Sequence, residues 1–249
     1  MSRQIGMNAW SSSEKERERW LSNFSRLFDL YQRSKKDNPK NYFNFEEFFH
    51  IAFLGAPAYA QIESFLQRLG PKAWEKLRCK ALPYLTVDHP TRGYEQLFSA
   101  LDEARGYALL ADQGYERIEF IEADKSKRGG KQLPDLIGFK RGSAAILEVK
   151  TINESDNNLA ADAAWRKEAV VVPPHLSEEF KRKAVATIEQ VKSQLLSYPR
   201  QVDRKIVLLV VRFDYGQKTA GHLYAELDDF ISTLTPEAGI EVFHQPTPG

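Results

Sequence analysis

Hydrophobic spacing divides the chain into a helical first part and a mixed second part. Before residue 90, apolar residues recur three and four positions apart, which is the period of an amphipathic helix. This spacing predicts helices over 12–35, 45–54, 57–69 and 71–82. Residues 84–90 are a candidate linker. We therefore expect a mainly α-helical N-terminal module, 1–88, and a second domain, 89–249.

The second part alternates between short apolar runs and longer helical patterns. Strands are predicted over 116–122, 133–139, 144–152, 205–213 and 239–243, and helices over 91–111, 177–198 and 224–234. The run 205–213 is almost continuously apolar, which is typical of a strand buried on both faces and reached by a helical crossover. The tail from His244 is rich in proline and is expected to be loose. The predicted fold class is α/β, with a mixed central sheet flanked by helices.

The predicted hairpin in the middle of the chain carries charged residues on otherwise apolar strands. Asp135 lies in its first strand, and Glu148 and Lys150 share one face of its second strand, because strand side chains alternate. Pairing across the hairpin can bring Asp135 beside Glu148. Charges in an apolar layer are costly unless they are paired or bind a metal ion. The alternative is a surface hairpin with solvated charges, but the apolar run 144–147 argues against it.

The carboxylates of this hairpin are ligands of the kind that hard divalent ions prefer. Asp135, Glu148 and the backbone carbonyl of Val149 would supply three oxygen ligands to magnesium. Lys150 could then orient or deprotonate an attacking water, or balance charge on a phosphate. The pattern therefore predicts a metal site with an ammonium group beside it.

Composition narrows the classes of function. A net charge of +1 provides no overall basic field, so nucleic-acid binding would depend on local patches. A single cysteine, Cys79, excludes an internal disulfide and a four-cysteine zinc site, and we expect it to be a buried apolar residue. The polar first residues do not resemble a signal peptide, and no apolar run is long enough to span a membrane. We expect a cytoplasmic protein that does not associate with membranes.

Pro134-Asp135 followed by Glu148-Val149-Lys150 resembles the signature of the PD-(D/E)xK nuclease superfamily, in particular its restriction-endonuclease-like and Holliday-junction-resolvase-like members. The resemblance covers residues 92–213. It implies a restriction-endonuclease-like core made of a helix, a three-stranded meander, a helix and a fourth strand. It also implies metal-dependent hydrolysis of phosphodiester bonds, with DNA as the expected substrate and RNA as the alternative. Mg²⁺ or Mn²⁺ would be the cofactor, and Lys150 would act beside it.

The resemblance implies that a glutamate at the start of the first core helix assists the metal site. Glu95 lies there, on the flank of the apolar stripe, whereas Glu103 lies on the far side of the helix. Asp102 lies on the same side as Glu95 and is a rival candidate. We therefore expect Glu95, rather than Asp102 or Glu103, to point at Asp135 and Glu148. The alternative is that Glu95 is only a favourable acid in the first turn of a helix.

The predicted helix over 177–198 adds two further candidates. Gln194 and Tyr198 resemble a Q-x-x-x-Y element that follows the E-x-K strand in some members of the superfamily. That resemblance implies a glutamine beside the site and a tyrosine that contacts nucleic acid. Alternatively, Tyr198 is a core residue and Gln194 is solvated.

Contacts to nucleic acid are expected from basic residues near the hairpin and on this helix: Lys125, Lys127, Arg128, Lys131 and Lys183. An ordinary solvated loop is the alternative for the first four. Two other functions are compatible with the sequence. One is a catalytically silent nucleic-acid-binding or interaction module on the same fold. The other is a protein that acts through its N-terminal helices. A homodimer is a further option for the assembly.

Overall fold

The computed structural model describes residues 24–34, 38, 40–44, 57–87, 94–122, 133–153, 173–213, 221–234 and 239–246. The helices are α1 (Ser25–Arg33), α2 (Pro57–Gln67), α3 (Pro71–Ala81), α4 (Glu95–Asp112), α5 (Glu178–Leu196) and α6 (Gly221–Thr233). The strands are β1 (Arg117–Phe120), β2 (Leu136–Lys140), β3 (Ser143–Asn153), β4 (Arg204–Arg212) and β5 (Ile240–Pro246). The predicted helix over 45–54 lies outside the described residues, and so do Lys125, Lys127, Arg128 and Lys131.

The strands form one mixed sheet in the order β1-β2-β3-β4-β5. The first three strands form an antiparallel meander, whereas β4 is parallel to β3 and β5 is parallel to β4. The chain passes from β3 to β4 through α5, which is the crossover that two parallel neighbours require. The predicted α/β class, with a mixed sheet flanked by helices, is therefore confirmed.

The last strand is longer than predicted. β5 pairs with β4 up to Pro246, so the expectation of a loose chain from His244 is wrong. His244 lies opposite Leu209 in the parallel register, and its Nε2 is 2.7 Å from Asp228 Oδ1 on α6. Strand pairing and this side-chain contact hold a segment that its proline content alone predicted to be irregular.

Each face of the sheet buries its own hydrophobic cluster. The first cluster includes Leu147 and Leu208 and is covered by α4 and the N-terminal helices. The second includes Ile146 and Val207 and is covered by α5 and α6. Neighbouring residues of β3 and β4 thus belong to opposite clusters, because strand side chains alternate between faces. As predicted, the centre of β4 is buried on both faces.

The N-terminal helices pack directly against the sheet domain. Helices are the regular structure found in the described part of 24–87, as expected. The first part of the candidate linker belongs to a 3-10 helix, Leu82–Thr86, with Leu85 buried in the first cluster, whereas residues 88–90 lie outside the described residues. Cys79 is exposed, which corrects the expectation of a buried thiol, because α3 turns Trp74 and Leu77 inward instead. The division into domains at residue 88 stays a prediction.

No helix within the described ranges combines the length and the apolar content that crossing a lipid bilayer requires.

Helix α4 approaches the sheet closely at Gly106. A Cβ atom at this position would lie 2.7 Å from Leu147 Cδ2 and from Val149 Cγ2, and 2.9 Å from Leu136 Cδ1. These distances are shorter than van der Waals contact, so only glycine allows α4 to lie at this depth. The same close packing brings the other side chains on this side of α4 down to the strands.

We predict that Gly106→Ala destabilises the protein, although alanine favours helix by about 1 kcal/mol over glycine. Overpacking against three buried side chains typically costs about 1–3 kcal/mol. Thermal unfolding should show a Tm lower by several degrees. Gly221→Ala is the matched control, because nothing lies within 4 Å of a Cβ placed at Gly221. Equal melting temperatures for the two variants would contradict the close approach.

Candidate functional site

The β2–β3 hairpin brings Asp135 and Glu148 together. Leu136 pairs with Leu147 in the antiparallel register. Asp135, which precedes Leu136, therefore lies beside Glu148, which follows Leu147. The backbone N–H of Asp135 donates to Glu148 Oε2 at 3.1 Å, and the N–H of Val149 donates to Asp135 Oδ2 at 2.9 Å. The predicted meeting of the two carboxylates is therefore confirmed.

Two further side chains hold the Glu148 carboxylate, which is only 2% exposed. Lys150 Nζ donates to Oε1 from the same face of β3. Gln194 Nε2, on α5, donates to Oε2 at 3.0 Å and to the carbonyl of Leu133 at 2.7 Å. The expectation that Gln194 borders the pair is confirmed. Glu148 is thus fixed by groups from the hairpin and from the helix above it.

Glu95 does not belong to this group of residues, contrary to our expectation. Its Oε1 accepts a hydrogen bond from Asn153 Nδ2. Asn153 lies five residues beyond Glu148 on β3, which places it roughly 16 Å further along the strand. The physical reason is the direction of α4. It runs antiparallel to β3, so its first residue meets the end of the strand, whereas Gly106 lies over Leu147.

Glu103 reaches the pair instead, although the sequence pattern had placed it on the far side of the helix. Glu103 is only 5% exposed. Lys80 Nζ, from α3, donates to Glu103 Oε1 and lies 3.5 Å from Asp135 Oδ1. One ammonium group therefore joins the acid of α4 to the acid of the hairpin.

The apolar stripe of α4 misled the prediction because this helix is buried on all sides. Every residue from 100 to 106 is buried, which covers almost two helical turns. Helices α2 and α3 pack on one side of α4, and β3 packs on the other. A glycine inside a helix was the missed signal, since it often marks close packing. Glu103 is three residues before Gly106 and therefore shares its side of the helix.

Asp102, the other rival acid, belongs to a separate buried ion cluster. Arg105 Nε donates to its Oδ1 at 3.1 Å, and Thr151 Oγ1 donates to its Oδ2 at 3.0 Å. Arg212, on β4, also donates to Oδ2. Thr151 points to the α4 face of β3, whereas Glu148 points to the α5 face. Asp102 is therefore a neutralised structural acid.

Two of the expected nucleic-acid contacts fall on described residues. Lys183 Nζ donates to the backbone carbonyl of Asn153 at 3.0 Å. Tyr198 is half-buried and packs against the second hydrophobic cluster, as in the core alternative. A role for either side chain in binding nucleic acid stays a prediction.

Three carboxylates and two ammonium groups converge at the site. Burial, reinforced by the charge of Asp135, raises the pKa of Glu148 to about 7. Burial and the charge of Asp135 likewise raise the pKa of Glu103 to about 8. Burial alone would lower the pKa of Lys80, but Glu103 and Asp135 outweigh burial and raise it. The cluster is therefore short of positive charge.

The donor atoms of the site suit a hard divalent cation. Magnesium is commonly held by one or two carboxylates, completed by water and phosphate oxygens. Asp135 and Glu148 supply two carboxylates, and the buried atoms Glu103 Oε2 and Gln194 Oε1 have no hydrogen-bond partner. In the described part of the chain, no three or more His, Cys, Asp and Glu side chains form a ready-made metal cage. A ligand role for the Val149 carbonyl stays a prediction.

Comparison with known protein families, with curated proteins and with solved structures finds no match to this chain.

We predict that the metal-free protein loses stability as pH rises from about 5 to about 8. An unfolded glutamate has a pKa of about 4.3, so in this window the folded state binds more protons at Glu103 and Glu148 than the unfolded state does. Stability must then fall with rising pH. Melting temperatures in a chelator across this range measure the effect.

Glu103→Gln should flatten this pH dependence, because it removes one of the two titrating groups. Asp112→Asn is the control, since Asp112 lies on the same helix but is exposed and paired with Arg68. The interpretation is wrong if the glutamine variant keeps the full slope of the parent.

Proposed function

We propose that the protein is a metal-dependent nuclease that hydrolyses phosphodiester bonds, with DNA as its substrate, on a restriction-endonuclease-like core. The observation that carries this proposal is the interlocked pair of Asp135 and Glu148, with the Lys150 ammonium on Glu148. The order of helix, antiparallel meander, helix and parallel strand supports it, because the PD-(D/E)xK resemblance implies this order. A fold alone hosts many functions, so the argument depends on the residues.

Each residue of the site has a distinct role in this proposal. Asp135 and Glu148 would hold Mg²⁺ or Mn²⁺, and Glu103 would take the assisting role that the sequence pattern assigns to Glu95. A bound divalent ion supplies Lewis acidity and lowers the pKa of a bound water. Gln194 is a positioning residue, since it orients Glu148 Oε2.

Lys150 is the residue that acts on the reacting groups. Its side chain is 30% exposed while its ammonium group touches Glu148, so the same group can contact a bound phosphate. There the ammonium group donates a hydrogen bond to a phosphate oxygen, whereas only the neutral amine, formed after the ammonium has lost a proton, accepts the proton of the attacking water. Holding this ammonium beside the carboxylate orients it before substrate arrives, and such preorganisation lowers the barrier.

A catalytically silent nucleic-acid-binding module on the same fold is the alternative. The carboxylate of Glu148 is only 2% exposed, and burying a charged group is costly. A module that only binds phosphate does not need a negatively charged group at this position. Titration with Mn²⁺ distinguishes the two functions: binding that depends on Asp135 favours the nuclease.

We predict that Asp135→Ala and Lys150→Ala each lower cleavage at least about a thousandfold, because each removes transition-state stabilisation that no neighbour replaces. The assay incubates the protein with supercoiled, linear and branched DNA and with RNA, in Mg²⁺ or Mn²⁺. Asp112→Asn and Lys76→Ala are controls with exposed ion pairs and should cleave like the parent. No cleavage of any substrate by the parent would count against the proposal, as would full activity of Lys150→Ala.

We also predict that Asp135→Asn is at least as stable as the parent in a chelator. The amide keeps an acceptor for the Val149 N–H while it removes one charge from a crowded acidic site. Added Mg²⁺ should raise the Tm of the parent, because a ligand of the folded state stabilises it, and should leave the variant unchanged. Marked destabilisation of the metal-free variant, without a magnesium effect on the parent, would indicate a structural ion pair instead.

A further inference from the structure

Lys80 is a charged residue at the site that the PD-(D/E)xK motif does not include. It lies in the last turn of α3, in the helical part that precedes the core, and is 55 residues before Asp135 in sequence. Its ammonium group hydrogen-bonds Glu103 and lies 3.5 Å from Asp135 Oδ1. The side chain is 48% exposed, so it reaches the acids from the solvent side.

The position of this ammonium group is favourable for a cation. It lies between two carboxylates of a three-carboxylate cluster, and Glu103 Oε2 is buried without a hydrogen-bond partner. A lysine side chain is long and flexible, so its ammonium can leave while the helix stays in place. A divalent ion that binds Asp135 would therefore compete with Lys80 for the same acids.

Charge balance indicates what Lys80 does after it is displaced. With all groups ionised, Asp135, Glu148 and Glu103 together with Lys80 and Lys150 carry one net negative charge. One divalent ion converts this into one net positive charge, which matches the single negative charge of a phosphodiester. Without Lys80 the loaded site would be neutral. Attraction to the backbone of nucleic acid would then be weaker.

We propose that Lys80 is a substrate-positioning residue that occupies the cation position in the metal-free site and binds the phosphodiester backbone once a divalent ion has displaced it. This inference rests on the proposed nuclease function. It makes the N-terminal helical part a contributor to the site, because α3 supplies a group that the sheet domain lacks.

The test uses the full chain with Lys80→Met and the matched control Lys76→Met. Lys76 lies one turn earlier on α3 and pairs with Glu122 at 2.8 Å, away from the acids of the site. Calorimetric titration with Mn²⁺ measures cation affinity. Fluorescence anisotropy with a DNA duplex in Ca²⁺ measures substrate binding, and a gel checks that the duplex stays intact.

Lys80→Met should shift the two affinities in opposite directions. Mn²⁺ should bind roughly tenfold more tightly, because a competing positive charge is gone. The duplex should bind roughly tenfold more weakly, and the slope of log Kd against log salt should fall by about one. Lys80→Arg, which keeps the charge, should retain duplex affinity within about threefold. A merely structural role would weaken both affinities together.

The outcomes separate this inference from the proposed function. A parent protein that binds neither Mn²⁺ nor the duplex overturns the nuclease proposal and the role of Lys80 with it. If the parent binds both, and Lys80→Met behaves like Lys76→Met or binds Mn²⁺ more weakly, the role of Lys80 alone is overturned.

Discussion

The buried carboxylate of Glu148 is the constraint on which the site depends. A charge that is 2% exposed, in the middle of a sheet, is tolerated only if several groups compensate it. The compensation comes from three parts of the chain: the backbone N–H of Asp135, the ammonium of Lys150 and the amide of Gln194. Meeting these demands requires the hairpin register and the placement of α5 over β3 at the same time. The geometry of the site therefore depends on the packing of α5 in the second hydrophobic cluster.

Two adjacent acids on α4 differ in how completely their surroundings compensate their charge. Asp102 accepts hydrogen bonds from two arginines and a threonine, so its charge is neutralised on the α4 face of the sheet. Glu103 has a single described donor, Lys80, and one buried oxygen without a partner. A fully satisfied acid stabilises a fold, whereas an under-compensated acid has capacity left for a cation or a substrate. The excess of negative charge therefore lies on the side where Asp135 and Glu148 meet.

The helices before the core are part of this arrangement. Helix α3 packs on α4 within the same hydrophobic cluster as the sheet, and its last turn extends Lys80 to Asp135. Close packing of α4 at Gly106 sets the depth of this whole layer, since any side chain there would push the helix away from β3. A small displacement of α4 would move Glu103 and, through α3, the ammonium group of Lys80. Stability of the helical layer and geometry of the acidic cluster are therefore coupled.

The sequence by itself determined the features that depend on local pattern. Period-two alternation and turn residues predicted the hairpin and brought Asp135, Glu148 and Lys150 together. The place of Gln194 beside them was implied by the resemblance to the PD-(D/E)xK superfamily. The direction in which the Glu103 side chain points was decided only by the tertiary structure. Because α4 is buried all round, its hydrophobic period does not show which side faces the sheet, and the antiparallel course of α4 over β3 sends Glu95 to Asn153. The meeting of Lys80 with Asp135 was likewise decided by packing, since residues so distant in sequence share no local periodicity.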